Sequence, residues 1–474
     1  MYHKNLHFHF TGIGGSGMSG IAQILLNLGY GVSGSDLAES KIVQHLRHCG
    51  ARVTIGHAPE NLPANCSLLV YSSAVVVSNP EIVEAQRRGL PLVRRAEVLA
   101  ELMRLKYGVA VAGSHGKTTT TSMVAEILER GGLDPTVIIG GRVKSSDSGS
   151  RLGKGDYLVA ESDESDRSFL LLKPTVAIVT NIDAEHMSAY KSLEDLEGAF
   201  AQFVSAVPFY GLAILCIDDM KVRNLALKHG GRKMTYGFSA DAELRAQQVT
   251  HDKGRSFYEL YLRDEKLAVV ELAMPGRHMV LNSLAAIAVG LEFGIELTEI
   301  LAALRLFSGV ERRLEIIGAA AGVTVMNDYG HHPAEIRATL RAVRDGWSRD
   351  FKRLVVVFQP HRYTRTRDCF ADFIEAFHDA DTLFLMDIYS AGEAAIEGVS
   401  GELLATAVNH PNKIFCSSVG ETLEHVLNHV QAGDMLVFLG AGSVGALSQQ
   451  CLAALQELRA DEHVAAIAIG GTRG

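Results

Sequence analysis

Paired cysteines are missing from this chain. Its six cysteines, Cys49, Cys66, Cys216, Cys369, Cys416 and Cys451, stand far apart with no CxxC spacing, so neither a disulfide framework nor a zinc site is indicated and a reducing compartment fits. No apolar run reaches the length needed to cross a bilayer. The opening MYHKNLHFHFTG holds neither a long apolar core nor a cleavage site, which predicts a soluble, cytoplasmic protein. Low-complexity segments and sequence repeats are absent as well. Basic charge is not in excess: the formal net charge is −9, which argues against a nucleic-acid backbone as main partner and leaves local basic pockets for small anions. What remains is ordinary globular material. With 47% hydrophobic and 21% charged residues over 474 positions, the chain is too long for one core, and its length suggests about three domains.

Strand-like and helix-like stretches alternate throughout, the pattern of parallel α/β structure. LHFHF, the glycine turn TGIGGSGMSG and IAQILLNLG open a first region, expected to end with RRAEVLAELMRLK. A second strand-turn-helix unit restarts at 107 and is followed by TVIIGG, DYLVAES, TVAIVTN and GLAILCIDD, then by an antiparallel excursion before HMVLNSLAAIAVGLEFG. After GVERRLEIIG the rhythm begins again with GVTVMNDYG, RLVVVFQP, TLFLMDIY and MLVFLGAGSVG. The expected domains are therefore residues 1–106, 107–312 and 313–474.

GVAVAGSHGKTTTTSMVAEILER, residues 108–130, reads as apolar strand, tight turn, Lys-Thr and amphipathic helix, which is a cradle for nucleotide phosphate. Backbone N–H groups from Gly113, Ser114, His115 and Gly116 face the anion at the positive end of the helix, Lys117 reaches the outer phosphates and the Thr118 hydroxyl holds Mg²⁺. Val111 occupies the place of the first glycine in the eight-residue form, so the match is the shorter GxxGKT. Context strengthens it, because Val124, Ile127 and Leu128 share one helical face. Magnesium prefers hard oxygen ligands, and Glu161, ending the strand YLVA, is the first choice; Asp163, Glu164 and Asp166 follow it. TVAIVTN then brings Asn181 and His186 to a strand end in the same layer.

Two further glycine turns fit GxGxxG. The first, Gly12 to Gly17, lies between strand and helix with Asp36 where a dinucleotide fold carries its ribose carboxylate; it suits either NAD or the diphosphate of another nucleotide such as a UDP-sugar. The second, Gly440 to Gly445, lacks room for a further dinucleotide half and reads as a structural turn. NDYGHHPAE and FQPHRYTRTRD gather His331, His332, His361, Arg362 and Arg365 at strand ends, where arginine forks suit an anionic substrate. GVERRLE adds Arg312 and Arg313, one of which could reach ATP phosphate when domains close.

Through HFTGIGGSGMSGIA, SGSD, AGSHGKTTTT, VAESDESD, VTNIDAEHM, PGRHMVLN, DYGHHPAE and FQPHRYTRTRD, spread over nearly all of residues 6–450, the chain resembles the Mur ligases, ATP-dependent amino-acid ligases of peptidoglycan precursor synthesis. The resemblance implies three α/β domains: a Rossmann-like one for UDP-N-acetylmuramate, a central P-loop ATPase-like one and a Rossmann-like C-terminal one that closes on L-alanine. It also implies that ATP phosphorylates the lactyl carboxylate and that the amine then displaces phosphate, leaving an amide. By the same resemblance Lys117 meets the transferred phosphate, Thr118 and Glu161 one Mg²⁺ and His186 a second, with Thr119 completing the loop. Asn282 falls near adenine, Asp328 on the ribose and Arg313 on phosphate. Gly14, Gly15, Ser16, Gly17, Asp36, Ser72 and Ser73 face the nucleotide sugar, while Tyr329, His331, His361, Arg362 and Arg365 surround the carboxylate and the amino acid.

Four positions depart from the family pattern. Met279 stands where an adenine-contacting asparagine is expected, Glu185 and Asn327 replace aspartates, and Glu197 occupies a stretch where many members carry a carbamylated lysine. A carbamate is a carboxylate on an extended arm, so Glu197 is expected to supply that carboxylate directly. Rival readings are a ligase that attaches a preformed peptide to the same sugar nucleotide, an NAD-dependent oxidoreductase using the first glycine turn, and an idle nucleotide-binding regulator.

Overall fold

The computed structural model describes residues 5–15, 17–72, 74–139, 150–184 and 187–470. Its first sheet is wholly parallel, with β1 (His7–Thr11), β2 (Gly31–Asp36), β3 (Arg52–Ile55), β4 (Leu68–Tyr71) and β5 (Leu92–Arg94) in the order β3-β2-β1-β4-β5. Chain order reverses beside β1, so a crevice opens at its C-terminal end, where open α/β sheets bind ligands. All five residues of β1 are buried. Phe8 and Phe10 enter the hydrophobic core, while His7 and His9 point to the opposite face, as the two-residue strand period requires.

Ten strands make the second sheet: β6 (Tyr107–Ala112), β7 (Thr136–Ile138), β8 (Ser150–Arg151), β9 (Tyr157–Glu161), β10 (Val176–Val179), β11 (Leu212–Cys216), β12 (Lys233–Gly237), β13 (Leu244–Asp252), β14 (Arg255–Leu262) and β15 (Glu265–Leu272). Their order is β15-β14-β13-β12-β11-β10-β6-β9-β7-β8. β6 lies between β10 and β9, parallel to both, and Val109 to Ala112 are fully buried. That placement brings the ends of β6, β9 and β10 side by side. The helix Lys117–Arg130 follows β6 and buries Val124, Ile127 and Leu128 as the periodicity predicts; Arg130 in its last turn complements the helix dipole.

In the third sheet β16 (Glu315–Ala320) pairs antiparallel with β17 (Val323–Asp328) at one edge, and β18 (Arg353–Phe358), β19 (Thr382–Met386), β20 (Lys413–Cys416) and β21 (Asp434–Leu439) continue in parallel. The order is β16-β17-β21-β18-β19-β20. Again the sequence order breaks in the middle, beside β17 and β21, which places the DYGHH and Gly440 turns at neighbouring strand ends. The chain divides into two compact units, one of residues 1–249, 257–273 and 279–310 and the other of 250–256, 274–278 and 311–474.

Candidate active site

In the first unit the turn after β6 is stapled to the end of β10. Ser114 N donates to Asn181 O (3.1 Å), His115 N to Asn181 Oδ1 (2.8 Å), and the hydroxyl of Thr180 and the amide of Asn181 both donate to His115 O (2.6 and 3.1 Å). Asp183 N donates to Ser114 Oγ (2.8 Å), and Asp183 lies 3.2 Å from His115 Nε2. Gly113, at φ +135°, packs so closely that a Cβ would fall 2.0 Å from Thr180 Oγ1. Gly116, at φ +82°, caps the helix in the left-handed region, a conformation glycine adopts without a Cβ penalty. A Cβ there would meet Asn282 Oδ1 at 2.6 Å, so Asn282 is seated directly on the phosphate turn; its amide faces the sulfur of buried Met279 at 3.9 Å.

Side chains within the turn are arranged around acids. Thr118 Oγ1 donates to both oxygens of Glu161, at 3.1 and 3.2 Å, which sets two hard oxygen donors next to each other as a magnesium site needs. Lys117 folds back: its Nζ donates to Gly113 O (2.5 Å) and Ser114 O (3.1 Å) and lies 3.0 and 2.8 Å from the two oxygens of Glu164. Burial pushes the Glu164 carboxyl up to about 7, with the Lys117 ammonium opposing that rise. Burial also works against the ammonium, but Glu164, then Glu161 and Asp163, more than compensate and hold its proton more firmly than usual. Thr119 is buried in the first helical turn. His186 lies outside the described residues, as do Ser16 and Ser73.

The turn after β1 is built differently. Gly14 N donates to Asp36 Oδ2 at 2.8 Å, so the carboxylate placed on a ribose by the sequence pattern anchors the glycine turn itself. A Cβ on Gly14 would stand 2.9 Å from that oxygen, Gly15 packs on Gly12 O, and Gly17 caps the next helix at φ +76°. Ser72 O accepts from Val75 N in the turn after β4. Beneath the turn lies a charged group that sequence reasoning missed. Glu81, fully buried, accepts from Thr11 Oγ1 (2.8 Å), Ser35 Oγ (2.7 Å) and Asn61 Nδ2 (2.7 Å), and His9 Nε2 lies 3.3 Å away. Burial by itself would raise this carboxyl, but the bonds from His9, Asn61 and Ser35 outweigh it and hold it at about 2. Arg95 was missed too: its guanidinium passes against Gly17 and lies 4.0 Å from Asp163.

Tyr329, His331, His361 and Arg365 come together in the second unit. Tyr329 meets His331 edge to face at 5.3 Å, His331 lies 5.8 Å from His361, His361 stacks on Tyr389 at 5.6 Å, and Arg365 approaches His361 Nδ1 at 3.3 Å. Desolvation, then the charges of His331, Arg365 and Arg362, lower the His361 imidazole to about 4, leaving it neutral at pH 7. Arg362 takes φ +71° at the start of the helix Tyr363–Asp368. Both oxygens of buried Asp328 are engaged, Oδ2 by Leu314 N (2.8 Å) and Oδ1 by Gly330 N (2.8 Å) and Thr339 Oγ1 (3.2 Å). Arg312 turns inward, donating to Gly440 O (2.5 Å) and covering the Tyr329 ring at 4.9 Å, while Arg313 lies 3.7 Å from Glu335. His332 caps the helix Pro333–Trp347. Gln359, bonded to Ser443 and Val444 N, fastens the Gly440 turn.

A mixed sheet whose parallel strands β6, β9 and β10 present a Gly-Lys-Thr turn, a Thr-Glu oxygen pair and flanking acids is suited to nucleotide phosphate. Residues 7–107 match the Mur ligase family catalytic domain, 111–290 the Mur ligase middle domain and 312–442 the Mur ligase glutamate ligase domain, and the chain belongs to the Mur ligase family of ATP-dependent ligases. It is 50% identical to a UDP-N-acetylmuramate–L-alanine ligase of Geotalea uraniireducens over 94% of this chain and 97% of that one. Among solved structures, a UDP-N-acetylmuramate-alanine ligase of Thermotoga maritima superimposes with a TM-score of 0.82 at 28% identity, covering 95% of this chain and 99% of the other. A murein peptide ligase of Psychrobacter arcticus gives 0.70 at 26% identity with the same coverage.

Proposed function

We propose that the chain joins L-alanine to the lactyl carboxylate of UDP-N-acetylmuramate at the expense of ATP, giving ADP, phosphate and an amide for peptidoglycan precursor synthesis in the cytoplasm. The observation that carries this reading is the Gly-Lys-Thr turn with Thr118 bonded to Glu161, in a chain half identical to a ligase of that name over nearly its whole length. In the chemistry, the carboxylate attacks the γ-phosphorus of ATP to form an acyl phosphate and release ADP. The amine then adds to the acyl carbon, and the tetrahedral intermediate collapses with loss of phosphate. Charge develops on phosphoryl and acyl oxygens, so the protein contributes positioning and cations rather than a nucleophile of its own.

Residues 107–312 take ATP in this reading. Lys117 and the amides at the helix start hold the outer phosphates, and the family resemblance assigns Asn282 to adenine and, from 313–474, Arg313 to phosphate and Asp328 to the ribose. Thr118 and Glu161 suit Mg²⁺, with His186 assigned to a second ion; the metal, when bound, neutralises phosphate charge. Residues 1–106 take the UDP-sugar on the Gly14 to Gly17 turn, which Asp36 anchors, with Ser72 and Ser73 assigned to the same ligand. Residues 313–474 supply Tyr329, His331, His361, Arg362 and Arg365 to the acid and the amino acid. His361, uncharged at pH 7, can accept a hydrogen bond there. Glu197, half-buried on the helix Leu193–Ser205, is assigned the place of a carbamylated lysine.

The test is phosphate release with UDP-N-acetylmuramate while each candidate amino acid or peptide is omitted in turn. Release that requires L-alanine supports the reading. Release only with a preformed peptide would make this a recycling ligase, and reduction of NAD would make it an oxidoreductase. Preference among L-alanine, glycine and L-serine rests on a methyl-sized difference of about 1–3 kcal/mol.

A further inference from the structure

One acid beside the phosphate turn has a cation and no other assigned task. Glu164 is 1% exposed, lies three residues beyond the Glu161 given to magnesium, and spans Lys117 Nζ with both oxygens, at 3.0 and 2.8 Å. Its backbone is fixed as well: the buried Tyr190 hydroxyl donates to Glu164 O at 2.5 Å, and Arg167 covers the Tyr190 ring at 5.0 Å while paired with Asp195 at 2.7 Å. The carboxylate is thus held where it can wait for the ammonium.

Lys117 also bonds to Gly113 O and Ser114 O, so its amine is drawn back onto the turn whose amides would receive phosphate. An ammonium engaged by two carbonyls and a carboxylate must give up at least some of these acceptors to meet a phosphoryl oxygen. A buried ion pair is weak evidence of a purely stabilising role, because desolvation consumes much of its attraction.

Accordingly, we propose that Glu164 is a positioning residue that acts through Lys117, engaging the lysine in place of the terminal phosphate of ATP and surrendering it when ATP enters. The inference rests on the ATP site assigned above. It makes the resting turn a competitor of its own ligand: apparent affinity is the intrinsic affinity scaled by the fraction of molecules in which Lys117 is available. The competitor keeps a buried lysine neutralised between turnovers.

Binding of a non-hydrolysable ATP analogue with Mg²⁺, measured by calorimetry, tests this in four proteins: wild type, Glu164→Gln, Lys117→Met and the double variant. Glu164→Gln is expected to bind about 5-fold tighter or more, with KM for ATP falling in parallel, and the gain is expected to vanish in the Lys117→Met background. Affinity that is unchanged or weaker in Glu164→Gln, or an equal gain without the lysine, would overturn the proposal. If Glu164→Gln does not fold, Glu164→Asp, whose carboxylate is one methylene shorter, replaces it with a smaller gain in the same direction. A wild-type protein that binds no analogue would instead remove the ATP site on which the inference rests.

Discussion

β1 and β6 are both buried parallel strands that run into a glycine turn and a helix capped by a left-handed glycine, yet the two turns have opposite polarity in their side chains. At the first, Asp36 accepts a loop amide and no lysine follows the last glycine. At the second, Lys117 follows Gly116 and the acids Glu161 and Glu164 bind a hydroxyl and an ammonium rather than loop amides. Both turns lead into a helix N-terminus, whose positive end favours an anion, while Ser114 N and His115 N are already donated to Asn181 and Gly14 N to Asp36. The second adds the Lys117 ammonium within the turn and the paired oxygens of Thr118 and Glu161, the equipment for phosphate that is to be transferred. The first is suited to a diphosphate that is merely held.

Breaking the second turn should therefore abolish chemistry, whereas breaking the first should weaken substrate capture. Lys117→Ala is expected to lower kcat by about 10³-fold or more with the circular-dichroism spectrum retained and the melting temperature lowered, because Glu164 is left buried without its cation. Gly113→Ala adds a Cβ 2.0 Å from Thr180 Oγ1 at φ +135°, and denaturant unfolding should show a loss of about 2–4 kcal/mol.

On the first turn, Asp36→Ala removes the acceptor of Gly14 N. KM for UDP-N-acetylmuramate is expected to rise about 5- to 10-fold, the value of one hydrogen bond, with KM for ATP unchanged. Glu81 sharpens the contrast through pH. Its carboxyl is held at about 2, below the ordinary 4.5, so the stability it lends is complete above pH 4.5 and is lost as pH falls toward 2; the full shift is worth about 3 kcal/mol. Melting temperatures across that window should fall less steeply in Glu81→Gln than in wild type. The smallest effect belongs to Glu197→Ala, which should raise the Mg²⁺ concentration needed for half-maximal turnover; an unchanged requirement would remove its carbamate-like role.

Local pattern made much of this legible. Strand, turn and helix around Lys117 follow from β-branched residues, glycines and a 3.6-residue apolar face, and the oxygen pair follows because Glu161 ends a strand adjacent to β6. Partnerships across long sequence separations were not legible. Asn282 reaches Gly116 only because the helix Arg277–Glu292 packs there. Among Glu161, Asp163, Glu164 and Asp166, spacing could not say which would find the lysine. Glu81 carries no motif signal, and it opens a helix after Asn79-Pro80 whose end tucks under β1 and β2, where Thr11 and Ser35 meet it. Asp36 sat where a ribose acceptor belongs, and its bond to Gly14 N depends on a turn conformation that no motif specifies.

The most direct test is a crystal structure of the protein with Mg²⁺, a non-hydrolysable ATP analogue and UDP-N-acetylmuramate. The terminal phosphate is expected within hydrogen-bonding distance of Lys117 Nζ, with the metal on Thr118 and Glu161. A triphosphate bound on the Gly12 to Gly17 turn, or anywhere away from Lys117, would contradict this assignment.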